Sequence, residues 1–388
     1  MVQTMNSLQS GISYALNLSC QALAFCLLSV LSMGVNAEQS LVPENKNERI
    51  ALFRDSVDKI LNQLDKKQGP GMAVWVEVDG DVVYSKWAGL AQREKRISID
   101  GNTTFELASA SKPLTAALVL QLAESGLLQL DDAAIKWLPQ LPPAWGSITI
   151  RNLLNQTAGI PDYMSQINST KLLGLDGLTN KQLLQRWEAN QLLNFTPGTQ
   201  IEYSNSNYVL LAEIAASACG TGFGQCLRQR ILEPLGMSNT RVESEESSQG
   251  EILALNYALS KKTKGILLKT EGPTGIYSSL NDIALWLQAY QAGKIVSKAG
   301  TDLMTTPVLS SPVFESGERY GMGWVLPPED NKLGSYTHAG QKDGYRTLIS
   351  ANTKANVNYI ILSNGGDFVQ PISTEVQYWI QEIFELQP

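Results

Sequence analysis

A serine and a lysine three residues apart, Ser109 and Lys112, open the long apolar run of FELASASKPLTAALVLQ (Phe105–Gln121). At helical spacing their side chains lie one turn apart on the same face. A cation at a helix start is unfavourable by roughly 0.3–1 kcal/mol, because the unpaired N–H groups there carry partial positive charge. The same field stabilises an alkoxide forming on Ser109, and a close amine can accept or relay the hydroxyl proton. Pro113 suits a first helical turn, where its missing N–H would have no partner. Further along, QIEYSNSNY carries Tyr203-Ser204-Asn205. In extended backbone, residues two apart point the same way, so Tyr203 and Asn205 can enter one cleft together. A phenol beside an ammonium loses its proton more easily, which suits Tyr203 to general-base work. The single histidine of the chain, His338, begins His338-Ala339-Gly340 just before a predicted strand pair. Taken singly, each group has a plain structural explanation: a capped helix with a solvated lysine, a surface loop, a satisfied histidine.

The elements that must hold these residues follow from periodicity. Residues 47–66 carry Ile50, Phe53, Val57, Ile60, Leu61 and Leu64, the stripe of an amphipathic helix. Gly71–Lys86 reads as two strands around Asp79-Gly80-Asp81. Leu114–Ala123 is apolar nearly all round, which predicts a buried helix. From about Leu130 to Lys269 the chain reads as helical fragments and polar loops; strand character returns at Arg346–Ala351 and Tyr359–Ser363. Glu375–Glu385 closes as an amphipathic helix with Val376, Ile380, Ile383 and Phe384 inward. Strands from both chain ends with helices between them predict an α/β (α+β) protein. Its antiparallel β-sheet is flanked by helices and carries an α-helical insertion, with a cleft where the two parts meet. The α/β part covers about 45–125 and 270–388, and the insertion about 126–269.

Composition narrows the function classes. The 388 residues are 43% hydrophobic, enough for a large core, and the formal net charge of -7 gives no basic footprint for nucleic acid. One histidine makes a zinc or iron centre a poor expectation. No charged side chain occurs before Glu38, and Ala22–Met33 is an apolar run of signal-peptide length followed by the small-residue site Val35-Asn36-Ala37. Residues 1–37 therefore read as a signal peptide cleaved after Ala37, and residues 38–388 as a periplasmic or secreted mature chain. The missing basic n-region leaves a misassigned start or an uncleaved anchor open, and a structural N-terminal helix is the alternative to export. Cys219 and Cys226 flank a Gly-rich turn and are either a disulfide of an oxidising compartment or two unrelated buried thiols.

The three groups in this order, with FELASASKPLTA, LQLDDAAIKWLP, ITIRNLLNQTAGIPDY, FTPGTQIEYSNSNYVLLAEI, ILEPLGM, YGMGW and YIILSNGGD around them, resemble the serine β-lactamase and penicillin-binding superfamily. The branch is that of class C β-lactamases, D,D-carboxypeptidases and esterases, and the resemblance runs from about residue 45 to 385. It implies a β-lactamase/transpeptidase-like fold, no cofactor and an acyl-serine intermediate. By that resemblance Ser109 is the nucleophile, Lys112 its proton-transfer partner and Tyr203 the base. Asn205, His338, Gly340 and Gln341 are the substrate-binding positions, with the backbone N–H groups of Ser109 and Gln341 as oxyanion hole. His338 stands where class C lactamases carry a lysine, which argues against efficient cephalosporin hydrolysis. Arg346 either meets a substrate carboxylate or is a solvated strand charge. The implied substrates are small molecules or peptidoglycan-type peptides: D-alanyl peptides, β-lactams, short esters or D-amino-acid amides. A penicillin-binding-like sensor without turnover is the non-enzymatic alternative. A Ser-His-Asp hydrolase is excluded by the absence of a G-x-S-x-G elbow.

Overall fold

A computed structural model describes residues 42–64, 69–168, 177–187, 191–257, 268–329 and 334–385. The signal-peptide expectation for 1–37, with Cys20 and Cys26, lies outside these residues. Seven strands form one antiparallel sheet: β1 (Met72–Val78), β2 (Asp81–Ala88), β8 (Arg319–Tyr320), β9 (Val325–Leu326), β10 (Ser335–Lys342), β11 (Tyr345–Asn352) and β12 (Val357–Ser363), in the order β2-β1-β12-β11-β10-β9-β8. The Asp79-Gly80 turn between β1 and β2 has φ of 55° and 84°, the pair of positive values a tight hairpin requires. Of the other strands, β3 (Leu90–Gln92) pairs with β4 (Ile97–Ser98), and β5 (Thr104–Glu106) and β6 (Arg241–Val242) flank β7 (Ile276–Ser279).

The central strands are buried on both faces, so they separate two cores. Ala73 and Trp75 of β1, with Ile360 and Leu362 of β12, face the larger one. Their neighbours Met72, Val74, Val76, Tyr359 and Ile361 face the other way. On that second side lie α1 (Lys46–Leu61) and, near the chain end, residues Gln370–Ile380, continued by a π-helical turn over Gln381–Glu385. The larger core holds α2 (Lys112–Glu124), α3 (Asn205–Cys219) and α4 (Leu280–Gln291); Gln370–Ile380 is α5. Asn45 caps α1 by accepting from the backbone of Asn47 and Glu48. The inward stripe predicted for α1 is buried at Phe53, Val57, Ile60, Leu61 and Leu64, although the helix ends at Leu61. The terminal helix starts earlier than periodicity suggested, at Gln370, with Pro371 in its first turn.

The mixed α/β class with an antiparallel sheet and flanking helices is the one observed. One local expectation is corrected. His338 does not precede the strand pair but sits inside β10, whose polar text (SYTHAGQK) hides its strand character. Cys219, the last residue of α3, is disulfide-bonded to Cys226 of the next short helix.

Phe53 is fully buried where the two chain ends meet, with its ring edge-on to Tyr84 at 5.5 Å and to Phe384 at 5.2 Å. Phe53→Ala should lower unfolding free energy by about 3–5 kcal/mol, read from guanidinium unfolding, because neither neighbour can fill the void.

Candidate active site

β5 runs into a 3-10 turn, Ala108–Ser111, and that turn feeds α2. Ala108 has φ of 50°, an uncommon conformation for a residue with a Cβ, costing about 1–2 kcal/mol. The bend sends Ser109 out of the core while Ala108, Ala110 and Ser111 stay buried. Thr347 Oγ1 donates to Leu107 O at 2.6 Å, and Leu107 N donates to Ile276 O at 2.8 Å, so β11 and β7 grip the turn from two sides. β10 approaches it so closely that a Cβ on Gly340 would lie 2.2 Å from Leu107 O.

Lys112 is fully buried. Its Nζ donates to Ser109 Oγ at 3.2 Å, Asn205 Oδ1 at 2.9 Å and Pro273 O at 3.1 Å. It also lies 4.8 Å from the centroid of the Tyr203 ring. Burial pushes its pKa down to about 7, against the opposing pull of Asp162 and Glu106. The Pro273 carbonyl belongs to a loop tied to α2 by a bond from Thr115 Oγ1 to Gly272 O at 2.9 Å.

Ser204 is extended, and Asn205 begins α3, so Tyr203 and Asn205 enter the site from one short segment. Ser109 favours ionisation of the Tyr203 phenol. Its pKa lies well above 10, because burial outweighs every favourable contact. Burial thus outweighs the ease of ionisation expected from the neighbouring Lys112, and the phenol is held protonated in the free site. Phe314 and Tyr320 pack against its ring at 5.7 and 6.0 Å.

His338, Gly340 and Tyr336 alternate on one face of β10. His338 Nδ1 lies 2.8 Å from Ala339 O, which can only accept, so Nδ1 carries the proton and Nε2 faces the Tyr320 hydroxyl at 3.4 Å. Burial and the nearby Lys112 lower the pKa of His338 to about 3, leaving a neutral imidazole. Gln341 is exposed just beyond Gly340. Beyond Thr337, β10 pairs with β11 alone, so its other edge is open to the site. Two cations near this edge already have partners. Lys342 Nζ is 3.7 Å from buried Glu106, and Arg346 donates to Asp367 at 2.6 Å.

Ser109, Lys112, Tyr203, Asn205, His338 and Gly340 thus converge, with Gln341 at the rim. Two residues outside that set support them. Gln156 Oε1 accepts from Ser204 N at 3.0 Å and from Asn207 Nδ2 at 2.6 Å, clamping the Tyr203–Asn205 segment. Asp162 accepts from Asn205 Nδ2 at 3.0 Å. Both lie in NQTAGIPDY, where only polar residues beside a glycine turn hinted at a role.

The profile of the Beta-lactamase family matches residues 57–375. Penicillin-binding protein 4* of Bacillus subtilis (strain 168) is 29% identical over 335 residues, spanning 80% of this chain and 72% of that protein. The octameric penicillin-binding protein homologue from Pyrococcus abyssi superposes with a TM-score of 0.71 at 25% identity, covering 85% of this chain and 76% of the other. A D-stereospecific amidohydrolase from Streptomyces sp. gives 0.66 at 26% identity, covering 84% and 98%. The chain belongs to the beta-lactamase family, among penicillin-binding proteins and related hydrolases.

Gly340→Ala should destabilise the protein by about 1–3 kcal/mol in urea unfolding, because the Leu107 carbonyl and the Thr347 hydroxyl bonded to it both occupy the space.

Proposed function

We propose that the protein is an exported serine hydrolase that cleaves uncharged ester and amide bonds through an acyl-Ser109 intermediate. One observation carries the reading: the Lys112 amine reaches Ser109 Oγ while its other two partners, Asn205 Oδ1 and Pro273 O, can only accept. When Lys112 is neutral, its two N–H bonds satisfy those acceptors and its lone pair is left for the serine proton. A pKa of about 7 keeps a large neutral fraction at physiological pH.

In acylation Ser109 Oγ attacks the substrate carbonyl carbon as its proton passes to Lys112. The negative charge on the carbonyl oxygen is met by the backbone N–H groups of Ser109 and Gln341. The tetrahedral adduct collapses with loss of the amine or alcohol, which takes a proton relayed from Lys112 through the Tyr203 hydroxyl. Water then attacks the ester, giving its proton back along the same path, and frees the acid and Ser109.

Substrate class follows from charge. His338 is neutral, and Lys342 and Arg346 are engaged by Glu106 and Asp367, so a substrate carboxylate meets no unpaired cation among these residues. Phe314 beside Tyr203 offers an apolar wall instead. Export is supported by the uncharged apolar start of the chain and by the Cys219–Cys226 bond, which an oxidising compartment sustains. In this reading residues 38–388 are the mature chain, the 126–269 block supplying Asp162, Tyr203 and Asn205.

Ser109→Ala should cut hydrolysis of p-nitrophenyl butyrate by about 10³-fold or more and abolish fluorophosphonate labelling. Labelling without turnover would instead favour a sensor. In the wild type, kcat/KM should rise with pH, about tenfold per unit well below 7, and level off above it as Lys112 loses its proton. The ratio of kcat/KM for p-nitrophenyl butyrate to that for nitrocefin should exceed one; a ratio far below one would contradict the uncharged-substrate assignment.

A further inference from the structure

Asp162 touches no reacting atom, yet its bonds decide how the Lys112 amine is used. Loop 160–162 is bolted to α3 by Ser206, whose Oγ accepts from Tyr163 N at 3.0 Å and donates to Pro161 O at 2.8 Å. So held, Asp162 Oδ1 accepts from Met164 N at 3.1 Å and Asn205 N at 3.3 Å, and Oδ2 from Asn205 Nδ2 at 3.0 Å. All three partners are donors, as a carboxylate requires. The Asn205 amide has two ends, and a carboxylate accepts only from the NH₂ end. Its oxygen is therefore turned to Lys112 Nζ at 2.9 Å. The opposite orientation would aim an N–H at the amine, occupying its lone pair or clashing with its protons.

We infer that Asp162 is a positioning residue for the hydrolysis proposed above: by fixing the orientation of the Asn205 amide, it keeps the Lys112 lone pair directed at Ser109. The inference rests on that functional reading. The titratable groups facing Lys112 are Asp162 from the loop, Glu106 from β5, His338 from β10, Tyr203 just before α3 and Tyr208 within it. Asp162 and Glu106 favour the ammonium.

The test compares Asp162→Asn and Asp162→Glu with the wild type, following the pH dependence of p-nitrophenyl butyrate hydrolysis. Alongside, the Lys112 amine is titrated by NMR of lysine-labelled protein. Asparagine keeps the size but removes the charge and lets the Asn205 amide turn over. It should lower kcat about 10–100-fold with little change in KM. Its acid limb and its Lys112 titration should both move down by about one pH unit. Glutamate keeps charge and acceptor and should leave the limb in place. A role confined to holding the loop would lower thermal stability without moving limb or titration, and that result overturns the inference. So does a glutamate variant that shifts as far as the asparagine one. If Asp162→Asn does not fold, the glutamate variant decides: an unmoved limb supports the inference and a shifted limb overturns it. If wild-type Ser109 is neither labelled nor active, the functional reading falls, and the Lys112 titration alone still tests the link to Asp162.

Discussion

Removing one lysine side chain from water is the constraint on which the site depends. A buried, unpaired ammonium is costly enough that the group gives up its proton or acquires partners. Lys112 does both in part: its pKa falls to about 7, and three acceptors from three separate segments surround it. Its place at the start of α2 adds the repulsion of unpaired N–H groups to the effect of burial. The lysine at the helix start is thus an amine whose proton is held far less tightly than in water.

Holding those acceptors explains much of the architecture around them. The loop at Pro273 is tied to α2, the Tyr203–Asn205 segment is clamped by Gln156 and Asp162, and the Ser109 turn is gripped by β7 and β11. Each contact joins parts of the chain far apart in sequence. The double-faced sheet supplies the rigid backing, since β1 and β12 contribute alternate residues to two separate cores.

The chemical groups were more legible than their supports. Ser109, Lys112, Tyr203, Asn205 and His338 are residue types whose spacing suggests reactivity. Strands with alternating or continuous apolar text, β1, β11 and β12, could be read directly. β10 could not, because its outward residues Ser335, Thr337 and Gln341 are polar and its inward face includes His338 and a glycine where a neighbour comes close. Asp162 was invisible as a participant because its role lies in the direction of one amide, a property of three dimensions. The protonation of Tyr203 went the other way for a related reason: sequence shows the neighbouring cation but not the depth of burial.

Pairing Met72 with Ser363 joins, within one sheet, two strands far apart in the chain. Such long-range pairing must close a large loop before it is rewarded, which favours slow folding. A growing polypeptide that has not yet reached β10 holds Ser109, Lys112 and Tyr203 but lacks the strand that walls them in. The walls around Ser109, Lys112 and Tyr203 are therefore complete only once the last strands are in place.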